Sequence, residues 1–167
     1  MQFLPTRHNT AMSENLLTTV LPAEWRSLAM QSAQLLARVQ PAAGACVCTL
    51  LPDSAWHTAL ITALRHTGWQ VAQLPADATQ EGVARVIQTV KPAVVICPME
   101  VFGWVSKLAF LAGCAAIYTD SPDGEGTLRD RARHFSETAS GTVEGGMAAV
   151  PPQPHVRYDH QGAQLNP

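Results

Sequence analysis

The residues best equipped for chemistry are dispersed along the chain. His57 follows Asp53 by four positions, directly after the turn LPDS, so a histidine–carboxylate pair for acid–base work can be drawn there. Its neighbour Trp56 belongs to the apolar face of the same helix, and a histidine packed or solvated beside that face is the expected outcome. His66, His134, His155 and His160 are scattered; only the last two are close enough in sequence to share a ligand, and no metal site is expected. Gly124 and Gly126 can bring backbone amides to an anion ahead of a helix, although a plain turn is the expected outcome. Arg129, Arg131 and Arg133 alternate with Asp130 and Ala132, cover more than one helical face and are expected on a solvated surface. The turn after the first strand candidate lacks glycine, which argues against a dinucleotide fingerprint, and neither G-x-x-x-x-G-K-[ST] nor G-x-S-x-G occurs. Cys46, Cys48, Cys97 and Cys114 lie in apolar stretches without a C-x-x-C pair, so reduced core thiols in a cytoplasmic protein are expected instead of a zinc or redox centre.

The elements that must position these residues follow from periodicity. EWRSLAMQSAQLLARVQ spaces Trp25, Leu28, Ala29, Ser32, Leu35, Leu36 and Val39 by threes and fours, as one face of a helix. Strands are expected near 45–51, 69–74, 93–97 and 114–118. Between them lie a helix capped by Asp53 or Ser54, a helix capped by Asp77 or Thr79, and VFGWVSKLAFLA, which is apolar nearly all round. TLRDRARHFSET can form one more helix. Strands separated by single helices cannot be hairpin partners, so they should lie parallel with right-handed crossovers. The expected fold is therefore α/β: a three-layer, mostly parallel sheet with helices on both faces, Rossmann-like or flavodoxin-like. Residues 21–138 form that domain, between a flexible N-terminus over 1–20 and a flexible Gly/Pro-rich tail over 139–167.

Composition fits this. The 167 residues are 47% hydrophobic and 14% charged, enough for one globular core without staples. With 11 basic and 13 acidic residues there is no cationic excess for a phosphate backbone, so nucleic acid is not expected as a partner. The apolar runs are broken well short of a membrane span, and Pro5 and Arg7 interrupt any signal-peptide core.

Segment 24–97 resembles the start of the adenylate-forming superfamily: acyl- and aryl-CoA synthetases, nonribosomal-peptide adenylation domains and luciferases. EWRSLAMQSAQLLARV is similar to the family's opening helix E-L-x-x-x-A-x-x-L-A-x-x-L, and GACVCTLLPDS to G-D-x-V-x-x-L-L-P-N-S, with Ala45 and Asp53 as departures. ALRHTGWQVAQL follows the family's A-L-x-x-x-G and strand, and TQEGVARVIQTVKPAVVIC its T-P-E-E-L helix and A-K-V-V-I strand. The resemblance implies ATP with Mg²⁺ as cofactors and a phosphate loop of the type T-S-G-T-T-G-x-P-K-G. TASGTVEGG keeps Ser140, Gly141 and Thr142 in the matching places, but Val143 and Glu144 replace a threonine and a glycine, and the lysine is missing. The family's adenine, Mg²⁺ and ribose contacts and its catalytic lysine lie downstream of the matching region. The implied function is an N-terminal subdomain of an ATP-dependent carboxylate-activating ligase, inactive alone and acting as a split subunit or remnant. A companion chain or a second copy, or an acyl carrier protein system, would then be its partner.

Other readings stay open. The order strand, histidine, helix, Gly-Trp, strand also resembles corrinoid-binding domains, although Ala55, His57 and Leu60 stand where D-x-H-x-x-G is required. A non-enzymatic α/β interaction domain is the third. The helix with Val101, Phe102, Trp104, Val105, Leu108, Phe110 and Leu111 carries more apolar surface than one sheet covers and is the expected docking surface.

Overall fold

A computed structural model describes residues 23–39, 45–121, 126–138 and 153–165. The helices are α1 (Ala23–Val39), α2 (Ala55–His66), α3 (Gln80–Val90), α4 (Phe102–Leu111) and α5 (Thr127–Thr138). The strands are β1 (Cys46–Thr49), β2 (Gln70–Gln73), β3 (Val94–Cys97), β4 (Ala116–Thr119) and β5 (His155–Arg157), and a 3-10 turn over Met99–Val101 leads into α4. All pairings between strands are parallel, in the order β4-β3-β1-β2-β5.

Alternation along each strand decides which helix covers what. Val47, Val71, Val94 and Ile96 point to one face, where they meet Leu28, Ala33 and Leu36 of α1, Trp56, Leu60 and Leu64 of α2, and Leu128 and Ala132 of α5. Cys48, Ala72, Val95 and Cys97 point to the other, under Val83, Val86 and Ile87 of α3 and Val105 and Ala109 of α4. The distribution follows from a single crossover hand. Moving from β1 out to β2 puts α2 on one face, and returning past β1 to β3 and β4 puts α3 and α4 on the other. The chain then travels back from β4 to the far edge, which returns α5 to the α2 face.

Capping fixes the helix starts that the sequence left open. Ser54, not Asp53, caps α2 by accepting from the His57 amide at 3.0 Å. Thr79, not Asp77, caps α3 by accepting from the Gly82 amide at 2.9 Å. Each such cap contributes about 1 kcal/mol. In α4, Val105 and Ala109 are buried, while Phe110 and Leu111 are 80% and 81% exposed.

Residues 153–165 depart from the expectation of a loose tail. His155, Val156 and Arg157 pair in register with Val71, Ala72 and Gln73, making β5 the sheet's fifth strand. The turn that follows then clamps α3: the Thr79 amide and hydroxyl both donate to the His160 carbonyl, at 3.0 and 3.1 Å, and Arg85 Nη1 donates to the Gln161 carbonyl at 2.7 Å. The clamp depends on glycine. A Cβ on Gly82 would overlap the His160 carbonyl, and Gly162, at φ +79°, lies with its own backbone against Gly82. This segment needs no core of its own because backbone bonds to β2 and α3 hold it.

Gly82→Ala is expected to lower unfolding free energy by about 1–3 kcal/mol despite alanine's better helix propensity, because the turn must move off α3. Chemical denaturation measures the loss, and amide exchange should show it as faster opening of β5 than of β1 or β3.

Candidate functional site

In an open parallel sheet, ligands bind beyond the carboxyl ends of the strands. After β4 the chain enters α5 through Gly126, whose φ is +146° and where an added Cβ would collide with the Thr119 carbonyl and Asp120. The Thr119 amide donates to Thr127 Oγ1 at 2.9 Å and the Thr127 amide to Thr119 Oγ1 at 3.2 Å. This lock seats the first turn of α5 on the end of β4 and directs Arg129 inward.

Arg129 is only 1% exposed, which corrects the expectation of a solvated arginine; Arg131 and Arg133 are exposed as expected. The Arg129 Nε lies 2.9 Å from Asp120 Oδ1, Nη2 donates to the Ser121 carbonyl, and the guanidinium stacks 3.8 Å from the centroid of Trp56. Trp56 Nε1 donates to the other oxygen, Asp120 Oδ2, at 2.6 Å. Trp25 of α1 stands edge-on to Trp56 at 6.3 Å. Burial pushes the Asp120 carboxyl above its ordinary range, opposed by the Trp56 bond and the Arg129 charge. With both carboxylate oxygens engaged and the pair sealed from water, the cluster is a structural joint with no open position for substrate.

The predicted histidine–carboxylate pair has a similar fate. His57 is 1% exposed and its Nε2 lies 3.0 Å from Thr49 Oγ1. Burial lowers its pKa to about 4, only partly offset by the Asp53 charge. A ring nitrogen so occupied is not presented to a corrinoid cobalt. Burial also favours the protonated form of the thiols: it pushes Cys46 up to about 11, Cys97 up to about 12, and Cys48 and Cys114 in the same direction. His155 bonds Gln73 and His160 bonds Asp77, and the described residues hold no cluster able to bind a metal ion. No helix among them is long and apolar enough to cross a membrane.

Of the open clefts that flank the sheet, two bear on function. One, of about 370 Å³, runs beside the outer edge of β4 and is lined by Met99, Phe102, Ile117, Tyr118, Thr127 and Arg131, among others. The other, of about 350 Å³, lies between the flank of α2 and the exposed face of β5, with Asp53, His57, Arg65, Gln73, His155 and Arg157 in its walls. Sequence reasoning missed this second grouping. Its one signal is the alternation His155-Val-Arg157, which puts both polar side chains on the same face once the segment is a strand. Ser140, Gly141, Thr142 and Gly124 lie outside the described residues.

No protein-family model matches the chain, and no curated protein does. Solved structures do. MatB from Rhodopseudomonas palustris matches at TM-score 0.66 and 22% identity, over 85% of this chain and 27% of that one. A fatty acyl CoA synthetase from Mycobacterium tuberculosis matches at 0.60 and 18%, over 85% and 27%. An acyl-CoA synthetase from Brucella canis matches at 0.59 and 17%, over 80% and 24%. The chain has the fold of part of an acyl-CoA synthetase. It spans about a quarter of the length of these structures.

Two outcomes are expected from the buried polar groups. Arg129→Met should cost about 3–5 kcal/mol in urea denaturation, because it leaves Asp120 buried without its counter-charge. The deficit should shrink as pH falls toward the raised carboxyl pKa, and Arg129→Met with Asp120→Leu should recover most of it. For His57, the folded pKa of about 4 lies below the unfolded 6.5, so its contribution is complete above pH 6.5 and is lost as pH falls from there toward 4. The loss amounts to about 3 kcal/mol, and His57→Gln should remove that part of the acid dependence.

Proposed function

We propose that this chain is the N-terminal subdomain of an ATP-dependent acyl- or aryl-CoA synthetase-like ligase, and that it works with further polypeptide supplying the nucleotide-binding groups. The observation that carries the reading is the fold match to MatB, over 85% of this chain but 27% of that one, in agreement with the sequence motifs over 24–97.

In such a ligase a carboxylate oxygen attacks the α-phosphorus of ATP, the bond from that phosphorus to the bridging oxygen breaks, and pyrophosphate leaves. The step depends on groups that hold the triphosphate and neutralise developing charge. Here Ser140, Gly141 and Thr142 match the phosphate-loop motif in sequence, but Glu144 carries the wrong sign for a polyanion and the lysine is absent from TASGTVEGG. The buried cluster around Asp120 has no place for a phosphate. ATP and Mg²⁺ therefore belong to the assembled enzyme on this reading, not to this chain by itself. The companion polypeptide seats on the α4 side of the sheet, where Phe110, Leu111 and Met99 are exposed and β4 forms the edge.

The test is carboxylate-dependent exchange of pyrophosphate into ATP over a panel of aliphatic and aromatic acids. The chain alone is expected to give none, and co-expression with the product of an adjacent reading frame is expected to produce it. Exchange by the chain alone, abolished by Ser140→Ala or Thr142→Val, would overturn the dependence on a companion; absence of exchange in both preparations would overturn the ligase reading.

A further inference from the structure

The cleft between α2 and β5 has a composition that packing does not explain. Its floor is the face of β5 that α2 does not cover, bearing His155 and Arg157, with Gln73 of β2 alongside. Its wall is α2, which contributes Thr58, Thr62 and Arg65. Arg65 is aimed by its own backbone partner: Nε donates to the Gln153 carbonyl at 2.6 Å, fixing the plane of the guanidinium beside β5. Gln73 ties the two ends of the cleft together, its Nε2 donating to Asp53 Oδ1 at 3.3 Å and its Oε1 lying 2.8 Å from His155 Nε2.

Charge then decides what the cleft can accept. Asp53 is the one carboxylate among its lining residues, and it sits at the loop end, already engaged by Gln73. Arg65 and Arg157 supply two fixed positive charges, and both act on His155, whose pKa is lowered by burial first and by these two guanidiniums next. His57 is held neutral in the wall. The hydroxyl of Thr58 adds a neutral donor, while that of Thr62 donates to the Thr58 carbonyl at 2.9 Å. A volume of about 350 Å³ is at the lower end of ligand pockets, enough for a small organic group carrying one oxyanion.

We propose that this cleft is a binding site for a small oxyanion-bearing ligand, a phosphate ester or a carboxylate, held by Arg65 and Arg157 with His155 and Thr58 beside it. The site stands apart from the ligase reading and does not depend on it. Guanidinium pairs suit planar bidentate recognition of both oxyanion types, and the side chains come from α2 and β5, two elements already fixed by the sheet.

The experiment follows the histidine ring resonances of the full chain by NMR at pH 7.5 and constant ionic strength, titrating sodium phosphate and, separately, sodium acetate against chloride. Phosphate should produce a saturable shift at His155 and should raise that histidine's pKa, because a bound anion offsets the field of Arg65 and Arg157. Arg157→Gln should weaken the affinity about tenfold, the usual worth of one charge-assisted contact. Its melting temperature should be unchanged, since Arg157 is exposed. Arg131→Gln, at the opposite cleft, should bind as the unaltered chain does. Saturation by phosphate alone assigns the site to phosphate esters, and saturation by both anions assigns it to oxyanions generally. A linear, non-saturating shift, or equal affinity in Arg157→Gln and the unaltered chain, overturns the proposal.

Discussion

The α1, α2 and α5 layer is organised around one buried ion pair. Asp120 directly follows β4, Arg129 lies in the first turn of α5, Trp56 comes from α2 and Trp25 from α1, so four elements meet at a single charge-balanced contact. Removing either charge from water is expensive, and attraction offsets the cost only when geometry is good and the remaining donors are satisfied. The indole bonds Oδ2 and the Ser121 carbonyl accepts from Nη2, while Oδ1 and Nε face each other at 2.9 Å as an ion pair. The contact adds little net free energy compared with an apolar plug of equal size. What it adds is direction, because a guanidinium stacked on Trp56 and bonded to Asp120 tolerates few alternative placements of α5.

The opposite edge is organised by backbone instead. β5 is only three residues long and its side chains are partly exposed, so apolar burial cannot hold it. Ladder bonds to β2 and the clamp on the first turns of α3 do, and the clamp is possible because Gly82 and Gly162 let two backbones touch. Two consequences follow from this arrangement. It protects the edge of β2, which would otherwise offer unpaired amides, and it adds a strand face that no helix among the described residues covers. That uncovered face is the floor of the cationic cleft.

These two regions also mark the limit of what could be read from sequence. The first four strands, the five helices and the three-layer arrangement were legible because each rests on a local signal: short apolar runs of strand length in CVCT and VVIC, three-and-four spacing in α1, and cap residues before α2 and α3. His57 was legible as a packed residue because Trp56 beside it marks an apolar helix face. Arg129 was not, since Arg129, Arg131 and Arg133 look alike in sequence and only the turn at Gly126, which sets the phase of α5 on β4, distinguishes them. β5 was illegible because HVR between prolines and polar residues has no hydrophobic pattern, its place being set by partners far away in the chain. The cleft inherits that difficulty: Arg65 and the Gln153 carbonyl that aims it are separated by 88 positions.

The contrast between the two sheet edges bears on how the chain meets other molecules. At the β5 edge, the exposed groups are charged and polar, and water solvates them well, so the surface is stable as it stands and selects small anions. At the β4 edge, Phe110 and Leu111 are almost fully exposed on α4, next to a strand with ladder positions on its outer side and a cleft lined by Met99, Phe102 and Tyr118. Exposing such groups is unfavourable by roughly 25 cal/mol per Å² of apolar surface, a cost that contact with another polypeptide would remove. The same crossover hand that sends α3 and α4 to one face leaves α4 at its margin, flanked by α3 on one side and by no helix on the other among the described residues. The asymmetry is thus a product of topology: a sheet that begins in its middle and grows outward in both directions ends in two unlike edges, one suited to a small ligand and one to a macromolecular surface.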